Sequence, residues 1–236
     1  MTSRWVPLES SPDILNAWSK KAGLAGRSRF EDVYGLSDDL LGMVSQPVKA
    51  VILLFPISPE SEARRKQEDE EILAKGQPGL DPTILWIKQT ISNACGTMGL
   101  IHAIANSSVT LSPGSALSKF IEQCEGKTPE ERAKLLETTP LFADIHAQAA
   151  SSGQSAVPTD LDTNLHFTCF VAAPSSRGDD RADSSMRLVE LDGRRTGPID
   201  RGESTDLLKD AAKVVQDVYM GGSPSLSFSL IALCEP

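Results

Sequence analysis

The stretch that most limits what this chain can fold into is VKAVILLFPI, residues 48–57. It is β-branched and apolar without polar alternation, as expected of a buried strand at the centre of a sheet. No apolar run approaches the roughly 18 residues of a membrane-spanning helix. The opening MTSRWVPLESSPD lacks the apolar core of a signal peptide. Four cysteines, Cys95, Cys124, Cys169 and Cys234, show neither metal-ligand spacing nor the density of a secreted scaffold. The expectation is a soluble cytoplasmic protein, with the nucleus as a second location, whose thiols stay reduced. Acids outnumber bases 32 to 23. That balance argues against nucleic acid or an anionic membrane as partner and leaves room for a basic ligand.

Around this strand the pattern is mostly helical before residue 150 and mostly extended after it. PDILNAWSKKAGL predicts a helix with Ser11 as cap, Pro12 in the first turn and Gly23 at the stop. SPESEARRKQEDEEILAKGQ predicts a charged helix with a solvated face. Met98, Leu100, Ile101, Ile104 and Ala105 recur at helical spacing, so 95–107 is an apolar, central helix. Helices are also expected within 113–125 and from the capping box Thr128-Pro129-Glu130-Glu131 to about Glu137. Periodicity dissolves over 144–164 into Ser, Gly, Gln and Pro, which predicts a long loop of the functional kind. LHFTCFVAA predicts a strand with Leu165, Phe167, Cys169 and Val171 on one face and His166, Thr168 and Phe170 on the other. MRLVELDGRRTGPI predicts two strands joined at Asp192-Gly193. An amphipathic helix ending at Gly221-Gly222 and a last strand follow. No repeat or compositional break divides the chain, so residues 1–236 are expected to form one α+β domain.

Chemistry concentrates at WIKQTISNACGTMGLIHAIANSS, residues 86–108. Cys95 opens the central helix, where unpaired N–H groups and the positive end of the helix dipole favour a thiolate. Gly96 leaves room for a substrate carbonyl. The side-chain amide of Gln89, with the Cys95 N–H, could hold a tetrahedral oxyanion. From this stretch alone, a buried structural cysteine and a nucleophile both remain open. A nucleophile needs a base. His102 lies two turns along the same helix and reads as core; His146 borders the long loop and is expected to be exposed. His166, at the start of a strand, is the best candidate, with Asp192 on the neighbouring strand as its orienter.

KQTISNACGTMGLIHAIAN, DLDTNLHF, ELDGRRTGPI and the opening RWVPLESSPDILN together resemble the ubiquitin C-terminal hydrolases, papain-like deubiquitinating enzymes. The likeness runs the length of the chain and is to the short, single-domain members. It implies a papain-like α/β/α sandwich with a mostly antiparallel central sheet and a knotted backbone. It also implies Cys95 as nucleophile, His166 as general base then acid, Asp192 as orienter and Gln89 as oxyanion donor, with no cofactor or metal. A crossover loop at about 147–163 would admit only small or unfolded adducts. Pro7, Leu8, Glu9, Asp13, Asp32 and Val33 would hold the arginine-bearing, Gly-Gly-ending tail of ubiquitin. Phe228 is expected to pack in the core rather than touch ubiquitin's body. The enzyme would be a monomer. A ubiquitin-like modifier as substrate, or a ubiquitin-binding module with incidental turnover, are the rival expectations.

Overall fold

The computed structural model describes residues 4–153, 161, 163–175, 185–221 and 227–236. Six strands form one sheet: β1 (Arg29–Asp32), β2 (Val48–Pro56), β3 (Leu165–Pro174), β4 (Met186–Leu191), β5 (Ile199–Ser204) and β6 (Ser229–Cys234). Their order is β1-β6-β2-β3-β4-β5, and every neighbouring pair is antiparallel. β2 is central, as its composition requires. Its Ala50 and Ile52 pack into one core cluster, and its Val51, Leu53 and Phe55 into another on the opposite face. The first face is covered by α1 (Pro12–Ala22), α4 (Cys95–Ala105), α5 (Ala116–Cys124), α6 (Pro129–Glu137) and α7 (Pro140–Ser151). The second is covered by α2 (Asp38–Leu41) and by α8 (Leu207–Val214), which continues as a π-helical turn, Val215–Met220. The remaining helix, α3 (Pro59–Lys75), follows β2. The result is a three-layer sandwich.

Local signals explain most of the boundaries. The Ser11 hydroxyl accepts from the Ile14 N–H, and Thr128 and Glu131 make a reciprocal capping box. β1 and α2 are absent from the sequence expectation because four residues each are too short for a periodic signal, and only Phe30 and Leu41 in them are buried. The expected junction of two strands at Asp192-Gly193 is corrected. The second strand starts only at Ile199, because Asp192 closes a turn by accepting the Arg195 N–H on its carbonyl and the Arg194 N–H on its carboxylate.

The expected loop from residue 144 is also corrected, since α7 runs to Ser151; residues 154–160 and 162 of that loop lie outside the described residues. Phe142, Ile145, His146 and Ala149 form a buried stripe at i, i+3, i+4 and i+7. A histidine and small residues in that stripe hid it. His146 is therefore buried, not exposed. Its Nε2–H donates to the Val6 carbonyl (2.6 Å), and its Nδ1 accepts from the Thr97 hydroxyl (2.9 Å). His102 is buried too. Its Nε2 accepts from the Ile87 N–H (3.1 Å), and its Nδ1–H donates to the Leu191 carbonyl (3.3 Å). Burial holds both imidazoles neutral, with pKa values lowered to about 4.

An unfolded histidine binds its proton near pH 6.5, so this stability is complete above that value and is lost as pH falls toward 4. Each histidine accounts for on the order of 3 kcal/mol across that window. The melting temperature should fall between pH 7 and pH 4, and His146→Gln should show a shallower fall than the wild type in the same series of thermal melts. Parallel curves for the two proteins would contradict the assignment.

Candidate active site

Cys95 is the first residue of α4, the helix at the centre of the first core cluster. No side chain caps that helix, so its first N–H groups are left for the sulfur's surroundings. Asn93, just before it, has φ of 63°, an uncommon left-handed conformation. Its amide donates to the carbonyls of Trp5 and Leu161, each at 3.0 Å. Those two bonds stabilise the strained turn that aims Cys95. The sulfur lies within electrostatic reach of the His166 ring and the Phe167 backbone. Burial by itself would raise the thiol pKa. The His166 hydrogen bond and charge, with the Phe167 N–H, outweigh it and bring the pKa down. Cys124 and Cys234, without such partners, are pushed up by burial to about 11 and about 12, and Cys169 further still.

β3 and β4 pair with Cys169 opposite Leu191, which sets Asp192 beside the start of β3. His166 Nε2 donates to Asp192 Oδ1 (2.8 Å), leaving Nδ1 for Cys95. The ring is 3% exposed and stands edge-on to Phe55 at 5.6 Å. Burial would depress its pKa, but the charge and hydrogen bond of Asp192, with those of Cys95, raise it to about 9. Asp192 is buried completely on its side chain. Its pKa lies well below the usual carboxylate range because the charges of His166 and Arg65, with hydrogen bonds from His166 and the Arg194 N–H, outweigh burial.

Arg65 is the residue that sequence reasoning missed. The face of α3 expected to be solvated instead turns Glu62, Arg65, Glu68 and Asp69 toward the β4–β5 turn. Arg65 pairs through Nη2 with Asp192 Oδ2, and Glu68 and Asp69 pair with Arg195 (both 2.7 Å). The signal was present in the spacing: Glu62, Arg65 and Asp69 share a helical face with Ile72, and DGRRTGPIDR supplies complementary cations.

Gln89 lies on the segment before α4 and is bound to the same turn. Its N–H donates to the Gly193 carbonyl (2.8 Å), and Trp86 Nε1–H donates to the Asp192 carbonyl (3.0 Å). His102 links Ile87 to Leu191 on either side of these bonds. Gly193 must be glycine here: a Cβ would lie 2.9 Å from Gln89 Cβ and 3.0 Å from the Ile87 carbonyl oxygen. The Gln89 amide donates to the Ile91 carbonyl (3.2 Å), and its buried Oε1 has no partner among the described residues. A second amide hydrogen is thus available to an oxyanion.

The segments expected to hold a ligand tail border this site in part. Leu8 is buried against Gly96: a Cβ there would sit 3.0 Å from Leu8 Cδ1. Gly96 therefore makes room for the N-terminal arm, a correction to its expected role of admitting a substrate carbonyl. Pro7 and Glu9 flank it half-buried, with Glu9 beside Gly153 at the end of α7. Asp13 is exposed in the first turn of α1, and half-buried Asp32 faces it closely enough that burial and the Asp13 charge raise its pKa. Val33 and Phe228 pack in the second core cluster.

A thiol pulled down beside a histidine pulled up favours a thiolate–imidazolium pair, the form suited to nucleophilic attack. Iodoacetamide at pH 6.5 should label Cys95 at least about tenfold faster than Cys124, Cys169 or Cys234, as read by peptide mass spectrometry over time. His166→Asn should abolish that advantage. Equal labelling of all four cysteines would refute the ion pair.

Known proteins resemble this chain over nearly its whole length. The family model described as ubiquitin carboxyl-terminal hydrolase, family 1, matches residues 5–220. An Arabidopsis thaliana protein named ubiquitin carboxyl-terminal hydrolase 3 is 42% identical over 239 residues, covering 99% of this chain and 95% of that one. Human ubiquitin carboxyl-terminal hydrolase isozyme L1 is 40% identical over 233 residues, covering 97% of each. Among solved structures, the catalytic domain of Trichinella spiralis UCH37 bound to ubiquitin vinyl methyl ester has a TM-score of 0.71 at 20% identity, covering 99% of this chain and 97% of that one, a likeness of fold. The chain belongs to ubiquitin carboxyl-terminal hydrolase family 1.

Proposed function

We propose that the protein cleaves small or unfolded adducts from the C-terminal glycine of ubiquitin, with Cys95 as nucleophile, His166 as acid and base, Asp192 as orienter and Gln89 as oxyanion donor. The observation that carries the reading is the buried His166–Asp192 hydrogen bond (2.8 Å) beside Cys95, whose thiol pKa His166 brings down against burial. The Cys95 thiolate adds to the carbonyl of the last glycine. The oxyanion is received by the Gln89 amide and the Cys95 N–H. The tetrahedral adduct collapses by breaking the bond to the leaving amine, which takes its proton from His166, and a thioester remains. His166, now neutral, takes a proton from water; the hydroxide adds to the thioester and expels the Cys95 thiolate, which regenerates the pair.

The tail reaches Cys95 past the arm at Pro7, Leu8 and Glu9, and Asp13 and Asp32 meet its arginines. Burial and the Asp13 charge raise the pKa of Asp32, and a cation beside the two carboxylates relieves that repulsion, which favours a basic ligand there. The same site could act on a ubiquitin-like modifier with a Gly-Gly end, and relative rates on the two tails separate the readings. The working unit is a monomer of one domain in the cytoplasm or nucleus.

Release of a fluorophore amide from ubiquitin's C terminus should be rapid for the wild type and abolished by Cys95→Ala. The rate should climb with pH as the Cys95 thiolate forms and decline as pH rises through about 9, where His166 loses its proton. Wild-type inactivity on this amide would overturn the proposal. Asp32→Asn should raise KM about two- to fivefold with kcat unchanged, the range for one half-exposed ion pair. A drop in kcat alone would instead place Asp32 in the chemistry.

A further inference from the structure

We propose that Arg65 is a positioning residue for the catalytic pair: it occupies the second oxygen of Asp192 and so fixes both the orientation of that carboxylate and the share of its charge that His166 feels. This rests on the roles assigned above to Asp192 and His166.

The geometry is divided between two oxygens. Oδ1 accepts from His166 Nε2 and the Arg194 N–H, each at 2.8 Å, while Oδ2 is bound by Arg65 Nη2. A buried carboxylate oxygen left without a donor would be costly, so Arg65 completes the site. Arg65 is held on two further sides. Its Nη1 donates to Glu62 (2.8 Å), its guanidinium lies 5.3 Å over the Phe55 ring, and Phe55 in turn stands against His166. α3 is itself locked in register. Glu68 pairs with Arg195 and Arg201, Asp69 pairs with Arg195, and Arg201 also pairs with Glu190 (2.6 Å), whose side chain is fully buried. An ion-pair lattice between α3 and the β4–β5 strands thus delivers one guanidinium to one carboxylate oxygen.

The consequence is electrostatic as well as steric. The titratable and charged groups around the pair are Arg65 and Glu62 from α3, Cys95 and the neutral His102 from α4, Glu190 from β4, Arg194 from the turn and the neutral Tyr219 from the π-helical turn. Of these, Arg65 is the cation in direct contact with Asp192 through its side chain. By drawing on the carboxylate's charge it weakens the hold of Asp192 on the His166 proton. A proton held too tightly is transferred slowly to the leaving amine. Removing Arg65 should therefore make the imidazolium more stable and a poorer acid. Removing Glu62, which competes for Arg65, should do the reverse.

The test is the pH profile of fluorophore-amide release, with kcat and KM resolved, for wild type, Arg65→Met, Arg65→Lys, Glu62→Gln and Asp192→Asn. Arg65→Met should lower kcat about tenfold or more, leave KM within about twofold and move the alkaline limb up by about half a pH unit or more. Arg65→Lys, which restores charge without the planar fork, should return the limb to its wild-type place and recover part of kcat. Glu62→Gln, a half-exposed change that leaves the lattice standing, should move the limb down. Limbs that coincide in all three variants would overturn the proposal, as would a KM rise that accounts for the lost activity. If Arg65→Met does not fold, the downward shift in Glu62→Gln and the restored limb in Arg65→Lys decide the matter. Asp192→Asn separates the two levels. If it retains full activity, the assignment of Asp192 as orienter fails; if it is impaired while the limbs coincide, only the role of Arg65 fails.

Discussion

A single carboxylate, that of Asp192, is the constraint on which the site depends. It is buried without exposure on its side chain and remains ionised, which is tolerable only when both oxygens are saturated with donors of positive character. Each donor comes from a different element: His166 from β3, Arg65 from α3 and the Arg194 N–H from the turn itself. The carboxylate therefore draws three parts of the chain to one point. Any of them misplaced would leave an uncompensated charge in the interior.

The turn that carries Asp192 also carries the contact that sets Gln89, the proposed oxyanion donor. The Gly193 carbonyl receives the Gln89 N–H, the Asp192 carbonyl receives the Trp86 indole, and His102 spans from Ile87 to Leu191. Two groups far apart in sequence, Gln89 and Asp192, are thus held by one hydrogen-bonded seam. The neutral tautomer of His102 suits this seam, because one ring nitrogen must accept and the other donate. A charged imidazole there would lose the Ile87 bond, which explains why this histidine is buried away from the chemistry.

What could be read in the sequence was what short-range physics encodes. The central strand, the caps of α1 and α6, the apolar helix opening at Cys95 and the pairing of the strands bearing His166 and Asp192 follow from periodicity and end signals. α7 was obscured because His146 sits in its buried stripe, satisfied by Val6 and Thr97 contacts that no local pattern reveals. The inward face of α3 was obscured for a related reason. Charge at helical spacing is ordinarily solvated, and only a complementary set of arginines more than a hundred residues away turns it inward. Both misses are buried polar groups whose partners are distant in the chain.

Contacts of similar span tie the segment leading to Cys95, the proposed nucleophile, to the chain's own N-terminal arm. The Trp5 N–H donates to the Ser92 carbonyl, the Trp5 carbonyl accepts from Asn93, and Leu8 fills the space over Gly96. His146 fixes the Val6 carbonyl from the other side, and its ring lies 4.4 Å from that of Trp5. Asn93 extends the link to Leu161, on the segment leading into β3 and His166. The arm is therefore a shared wall between the turn that aims Cys95 and the segment that precedes the histidine. The tail proposed to lie along Pro7, Leu8 and Glu9 would adjoin Trp5, whose carbonyl holds the left-handed Asn93 just before Cys95.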